Sequence, residues 1–150
     1  MAPHTVWYFA YASNMNRAQM KQRVRDWAEE KIARLDNYEL NFDKLARRGT
    51  GTGNLVLAEG KAVFGVLYRL REQQLRTLDR FEGVPEHYRR SEVTVVDEQG
   101  NKVSAQVYLA RKVRKGLKPD RHYLRGIIAG AEEHNLPADY VEQLKRVVPA

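Results

Sequence analysis

The chain has 150 residues, no cysteine, and 26 Lys and Arg against 19 Asp and Glu, a net charge of +7. That length suits one domain with its own core, residues 1–150, and the missing cysteine excludes disulfide scaffolds, zinc–thiolate sites, a Cys nucleophile and Cys-ligated clusters. At 43% hydrophobic and 30% charged residues the composition is globular, and no apolar run approaches the ~18 residues of a membrane span.

Thr5–Tyr11 (TVWYFAY) is rich in β-branched and aromatic residues and predicts a buried strand. Ser13 and Asn14 end it with turn and cap chemistry, and Asn16–Arg25 predicts a helix on Met20 and Val24. Ala28–Arg34 has helical composition but is assigned to strand. Glu39–Phe42 is a strand because Tyr38, Leu40 and Phe42 alternate with polar residues. The glycines of Arg47–Asn54 (RRGTGTGN) predict a flexible surface loop. Leu55–Leu57 and Ala62–Arg69 follow as strands around a hairpin turn at Ala58–Lys61. Glu72–Phe81 is a helix with Leu75, Leu78 and Phe81 on one face, stopped by Gly83 and Pro85. Tyr88–Val96 and Val103–Ala110 are strands joined by the polar connection Asp97–Lys102. Pro119 opens a helix to His134, Leu136–Pro137 breaks it, and Ala138–Val147 is a last helix. This order is not the alternation of a doubly wound sheet. It predicts an α+β fold, a mainly β core closed into a small antiparallel or mixed barrel with flanking helices.

Several motifs can be set aside. No Lys-Ser/Thr or helix follows the glycines, so neither a P-loop nor a dinucleotide fingerprint is present. The four histidines lack metal-ligand spacing, and no serine sits in a nucleophile elbow. The start, MAPHTVWYFAY, shows no basic-then-apolar leader pattern, and a cytoplasmic protein is the default expectation. Arg111–Arg125 holds seven basic residues against one acid, Asp120, and so carries +6 of the total +7. Such a cluster can attract nucleic acid or an acidic partner, although a solvated loop is the favoured reading.

Two places can carry chemistry. Tyr11-Ala12-Ser13-Asn14, at the carboxyl end of the first strand, would aim backbone N–H groups into one concavity if it turns tightly. Such nests hold carboxylates or oxyanions; the alternative is an ordinary strand-to-helix cap. Glu82 ends the Glu72–Phe81 helix, four residues after Leu78 and seven after Leu75, which sets it near the apolar face. Partial desolvation there would raise its pKa and suit it to proton transfer. The competing readings are a pair with Arg89 or Arg90, or a solvated acid such as Asp79.

At these two places the chain resembles the γ-glutamylcyclotransferase family. Tyr8–Met15 is similar to the family's Tyr-Gly-Ser-Asn-Leu/Met signature. Phe64-Gly65-Val66-Leu67-Tyr68 resembles its Gly-Val-hydrophobic-aromatic strand. Leu78-Asp79 with Glu82-Gly83-Val84 resembles the Leu-Asp-x-x-Glu-Gly-Val block that ends in the family's catalytic glutamate. Tyr88, Val107-Tyr108-Leu109, Tyr123, Gly130-Ala131, Asn135-Leu136-Pro137 and Tyr140 follow in the family's order. The Ser13-Asn14 pair resembles this branch more than the γ-glutamylamine or glutathione-specific ones. One position departs: Ala12 stands where the family has glycine, which is harmless at negative φ and strained at positive φ.

The resemblance implies a small β-barrel and an enzyme that cleaves a γ-glutamyl amide to 5-oxoproline without metal or cofactor. It implies Glu82 as general acid and base, with Tyr11, Ala12, Ser13, Asn14, Met15, Tyr88, Tyr108 and Tyr123 around the substrate. Tyr108 and Tyr123 are the candidate hydrogen-bond donors. The implied partner is a small γ-glutamyl compound, with a homodimer as a family-level expectation; no membrane partner is expected, and a nucleic-acid partner is disfavoured. The alternatives are turnover of a γ-glutamylamine or a carrier-linked γ-glutamyl intermediate, or a non-catalytic binding module for nucleic acid or a γ-glutamyl-like ligand.

Overall fold

A computed structural model describes residues 4–150. The strands are β1 (Thr5–Ala10), β2 (Glu30–Leu45), β3 (Gly51–Arg71), β4 (Tyr88–Asp97) and β5 (Lys102–Ala110). They close into a barrel in the order β1-β3-β2-β4-β5. β1 runs antiparallel to β3 and closes the barrel by pairing parallel with β5 at Tyr8 and Gln106. The other pairs are antiparallel, so the barrel is mixed. Phe9, Val63, Val66, Leu67, Val95 and Val107 are fully buried within the core, which is what the apolar stretches of these strands require of a closed sheet.

Four helices flank the barrel: α1 (Arg17–Val24), α2 (Glu72–Phe81), α3 (Arg121–Glu133) and α4 (Ala138–Lys145). Polar caps fix where two of them begin. The Asn16 side chain accepts from Gln19 N at 3.3 Å and Asp120 from Tyr123 N at 3.1 Å, each meeting a donor that a helix start leaves free. α2 has the bounds its apolar spacing predicts, and it buries Leu75 and Leu78 while Phe81 stays half in solvent, 53% exposed.

Three sequence expectations need correction. The strands expected at Ala28–Arg34 and Glu39–Phe42 are one continuous strand, β2, which starts only at Glu30 and whose residues Ile32–Asp36 pair with Ala62–Val66 of β3. Ala58–Lys61 is not a hairpin turn. β3 runs through it, and the register shifts there, from Asp36↔Ala62 to Tyr38↔Leu57, an expanded bulge. Gly51–Asn54 is not a surface loop but the buried start of β3, after a short 3₁₀ turn at Arg47–Gly49. These glycines serve close approach rather than flexibility. A Cβ on Gly51 would overlap the Phe42 carbonyl oxygen, and Gly51 N donates to Lys118 O at 2.9 Å.

Among the described residues, no helix is long and apolar enough to cross a membrane, and no group of three or more His, Asp or Glu is placed to hold a metal ion. The folding logic of the glycines is testable by urea denaturation. Gly51→Ala is expected to destabilise the protein by about 1–3 kcal/mol through overpacking. Gly126→Ala, inside α3 with open space around it, is expected to stabilise it by about 0.5–1 kcal/mol. Equal effects of the two substitutions would refute this reading.

Candidate active site

β1, the start of β3 and the end of α2 converge on a small inner cavity of about 40 Å³. Immediately after β1 the chain makes a 3₁₀ turn, Ser13–Met15. Its bonds run from Met15 N to Ala12 O and from Asn16 N to Ser13 O, both 3.1 Å. Ser13 and Asn14 open the turn, so their own N–H groups have no acceptor within it. Ala12 has φ −132° and therefore avoids the left-handed region, so alanine is tolerated at the family's glycine position. Its methyl faces Gly53, where an added Cβ would lie 3.0 Å from Ala12 Cβ and 3.2 Å from the Tyr123 hydroxyl.

Ala12, Ser13, Asn14 and Glu82 line this cavity together with Tyr11, Tyr88, Tyr108 and Tyr123. Met15 does not. Its side chain is fully buried in the core, and its carbonyl accepts from the Tyr68 hydroxyl at 3.0 Å and faces His134 Nε2 at 2.9 Å. Burial, then the Arg17 guanidinium, lower the His134 pKa. The ring is therefore neutral near pH 7, and Nε2–H donates to that carbonyl. Met15 belongs to the support of the turn rather than to the cavity wall.

The hydroxyl directions separate the tyrosines. Tyr11 donates to Tyr108 O at 2.6 Å and Tyr88 to Gly53 O at 2.7 Å, so both protons are committed to backbone. Tyr108 is also committed, donating to Asp79 Oδ1 at 2.7 Å. The expectation of Tyr108 as a donor to substrate is thus corrected: it supplies wall and not a proton. Tyr123 differs, because its oxygen accepts from Gly53 N at 2.9 Å and its proton has no acceptor among the described residues. Tyr8, which sequence reasoning did not place in the site, behaves alike: its oxygen accepts from Asn14 Nδ2 at 2.9 Å. Burial pushes the pKa of all five well upward, so each stays protonated.

Glu82 caps the C-terminus of α2, and Gly83 at φ +67° turns the chain away. Its Oε1 accepts from Asn14 Nδ2 at 3.1 Å and lies 3.5 Å from an Arg23 nitrogen. Oε2 has no hydrogen-bond partner among the described residues and remains available in the cavity. Burial raises the Glu82 pKa above its ordinary value against the lowering effects of Arg23 and Asn14. The proposed partner Arg90 binds Asp79 instead, at 3.0 Å. Asp79 is therefore not a solvated acid, since it also holds the Tyr108 hydroxyl. Arg23 and Gln19 of α1 were also missed. Both donate to Asn14 Oδ1 at 2.9 Å; the spacing of Met20 and Val24 marked the helix, but nothing in it marked these two polar residues as facing the site.

Comparison with known proteins gives a consistent picture. Residues 62–144 match the AIG2-like family. The human γ-glutamylcyclotransferase is 30% identical over 95% of this chain and 78% of its own length. A putative γ-glutamylcyclotransferase of Bacillus subtilis is also 30% identical, over 94% of this chain and 51% of its own. A solved structure of a γ-glutamyl cyclotransferase superposes with a TM-score of 0.92 at 28% identity, covering 98% of this chain and 90% of that one.

The raised Glu82 pKa fixes the sign of a stability effect. A carboxyl with a raised folded pKa loses its contribution as pH rises through that pKa, because ionisation is harder in the fold than in the unfolded chain. Glu82→Gln is therefore expected to be at least as heat-stable as wild type at pH 7. The gap should close below the ordinary glutamate pKa of about 4.3. Paired thermal scans across pH measure this; a variant less stable at pH 7 than wild type would contradict it.

Proposed function

Because the chain belongs to the AIG2-like family and its γ-glutamylcyclotransferase group, we propose that it converts γ-glutamyl amino acids or related γ-glutamyl amides to 5-oxoproline and a free amine. The observation that supports this reading is that Glu82, its Oε2 without a hydrogen-bond partner among the described residues, lines one cavity with Ser13 and Asn14, whose N–H groups open a 3₁₀ turn.

In this mechanism the substrate's own α-amine is the nucleophile. Glu82 takes a proton from it, and the nitrogen attacks the γ-carbonyl carbon. A C–N bond forms as the five-membered ring closes, and the original amide C–N bond breaks. The same carboxyl, now protonated, returns the proton to the departing amine. Atoms balance without an oxidant, a metal or an enzyme nucleophile. The N–H groups of Ser13 and Asn14 hold the substrate's α-carboxylate or the developing oxyanion. The free protons of Tyr8 and Tyr123 are the further donors at this site. Asn14 orients Glu82, and holding the glutamyl chain in a folded shape supplies the entropic part of the rate.

The raised pKa suits both halves of this cycle. A carboxylate that ionises late is a stronger base and, once protonated, lies closer to neutrality as an acid. Assay of 5-oxoproline from γ-glutamyl dipeptides, γ-glutamylamines and glutathione tests the proposal. Glu82→Gln should lower kcat by about 10²–10⁴-fold while remaining folded. The base must be ionised, so wild-type activity should rise with pH through a limb above the ordinary glutamate range, and that limb should be missing from the variant's residual rate. No 5-oxoproline from any of these compounds with wild type would sink the proposal.

A further inference from the structure

The inner cavity, at about 40 Å³, is too small for a whole γ-glutamyl amide, and it shares Ser13, Glu82, Tyr88 and Tyr123 with an outer chamber of about 420 Å³. Whatever is attached beyond the scissile amide must extend outward from Glu82, and this chamber is the space that adjoins it. Its walls are not neutral. They present Arg23, Lys44 and Arg80, with Glu82 as the facing acid.

These cations are not equivalent. Arg23 is occupied by Asn14 and Glu82 and lies 5.0 Å over the Phe81 ring. Lys44 and Arg80 have no carboxylate partner among the described residues. Lys44 is half-buried on β2, its ammonium donating to Leu45 O at 2.7 Å and lying 6.0 Å from the centre of the Tyr88 ring. Arg80 is exposed on α2. The two therefore come from different walls of the chamber. Nearby acids are otherwise engaged: Asp43 accepts from Asn54 at 3.1 Å, and Asp120 caps α3. Glu86 is an exposed acid of the loop between α2 and β4.

The basic segment that sequence reasoning left without a role lies beside this opening. Arg111 donates from its backbone to His87 O at 3.0 Å and from Nε to Pro85 O at 2.8 Å. Arg114 N donates to Asp43 O, next to Lys44, at 2.8 Å. The side chains of Lys112, Arg114 and Lys115 are exposed along this segment. An opening lined by one sign of charge concentrates a ligand of the other sign and speeds its capture.

We propose that this chamber is the leaving-group subsite and that it selects γ-glutamyl conjugates of acidic amino acids, whose amine part carries a side-chain carboxylate beside its α-carboxylate. An α-carboxylate alone would use one of the two unpartnered cations. A second carboxylate uses the other, on a different wall, and enters along the Arg111–Lys115 flank. The assignment rests on the cyclotransferase reading of the inner cavity.

The test compares γ-glutamyl-glutamate with γ-glutamyl-glutamine, which match in size and differ by one charge. Two readouts are needed, kcat/KM for 5-oxoproline release and calorimetric Kd on the Glu82→Gln protein. Wild type is expected to prefer the glutamate conjugate by about fivefold to tenfold in kcat/KM at low salt, and less at high salt. Lys44→Met and Arg80→Gln should each pull that ratio toward one, with folding verified by thermal scans. Equal kcat/KM and equal Kd for the two conjugates would overturn the inference and leave the cyclotransferase reading standing. A retained preference in Kd with no 5-oxoproline from either would support the charge selection and overturn the cyclotransferase reading instead.

Discussion

The hydrogen bond from Asn14 Nδ2 to Glu82 Oε1, 3.1 Å long, joins the two elements on which the site depends. One end stands on the turn after β1, the other on the residue that caps the C-terminus of α2, 68 positions away in sequence. The amide is saturated. Its nitrogen serves Tyr8 and Glu82, and its oxygen takes Gln19 and Arg23. A buried amide with all its bonds made has a single orientation, because any rotation would strand polar atoms without partners. The position of the carboxylate is thus inherited from the barrel rather than from the short loop that follows it.

The tyrosines around this pair show how similar side chains acquire different roles. Each lies in low-dielectric surroundings that forbid ionisation, so what distinguishes them is where the proton points. Tyr11, Tyr88 and Tyr108 give theirs to the protein and thereby fix Gly53, Asp79 and the β5 backbone. Tyr8 and Tyr123 receive instead, which leaves a donor to spend on a ligand. Asp79, one turn before Glu82 on α2, takes the opposite part from Glu82: its carboxylate is consumed by Tyr108 and Arg90.

Much of this was legible in the sequence because local pattern and tertiary structure agree there. The spacing of Leu75, Leu78 and Phe81 located α2 and placed Glu82 at its end, and Ser13-Asn14 marked the turn after β1. Pattern failed where a residue was chosen for what approaches it. Gly51 and Gly53 look like loop residues, but they sit in a strand since Phe42, Ala12 and Tyr123 come too close for a side chain. Met15 stands within the motif, yet its side chain turns into the core, because a turn alternates its faces in a way that the motif's letters do not record. The directions of the tyrosine protons were beyond reach, since they depend on backbone groups tens of residues away.

The support behind the turn has a consequence for how the molecule comes into being. The Met15 carbonyl is held by Tyr68 of β3 and by His134 at the end of α3, 119 residues from it. Gly130 of α3 lies so near that a Cβ there would come within 2.7 Å of Asn16 N. β1, made first, also waits for β3 and β5 on its two sides. Contacts of such sequence separation are slow to form because long loops must close before anything is gained. During synthesis, the turn after β1 would therefore lack its support until residue 134 has emerged, and a nascent chain ending between Tyr123 and His134 would carry every cavity-lining side chain without that support.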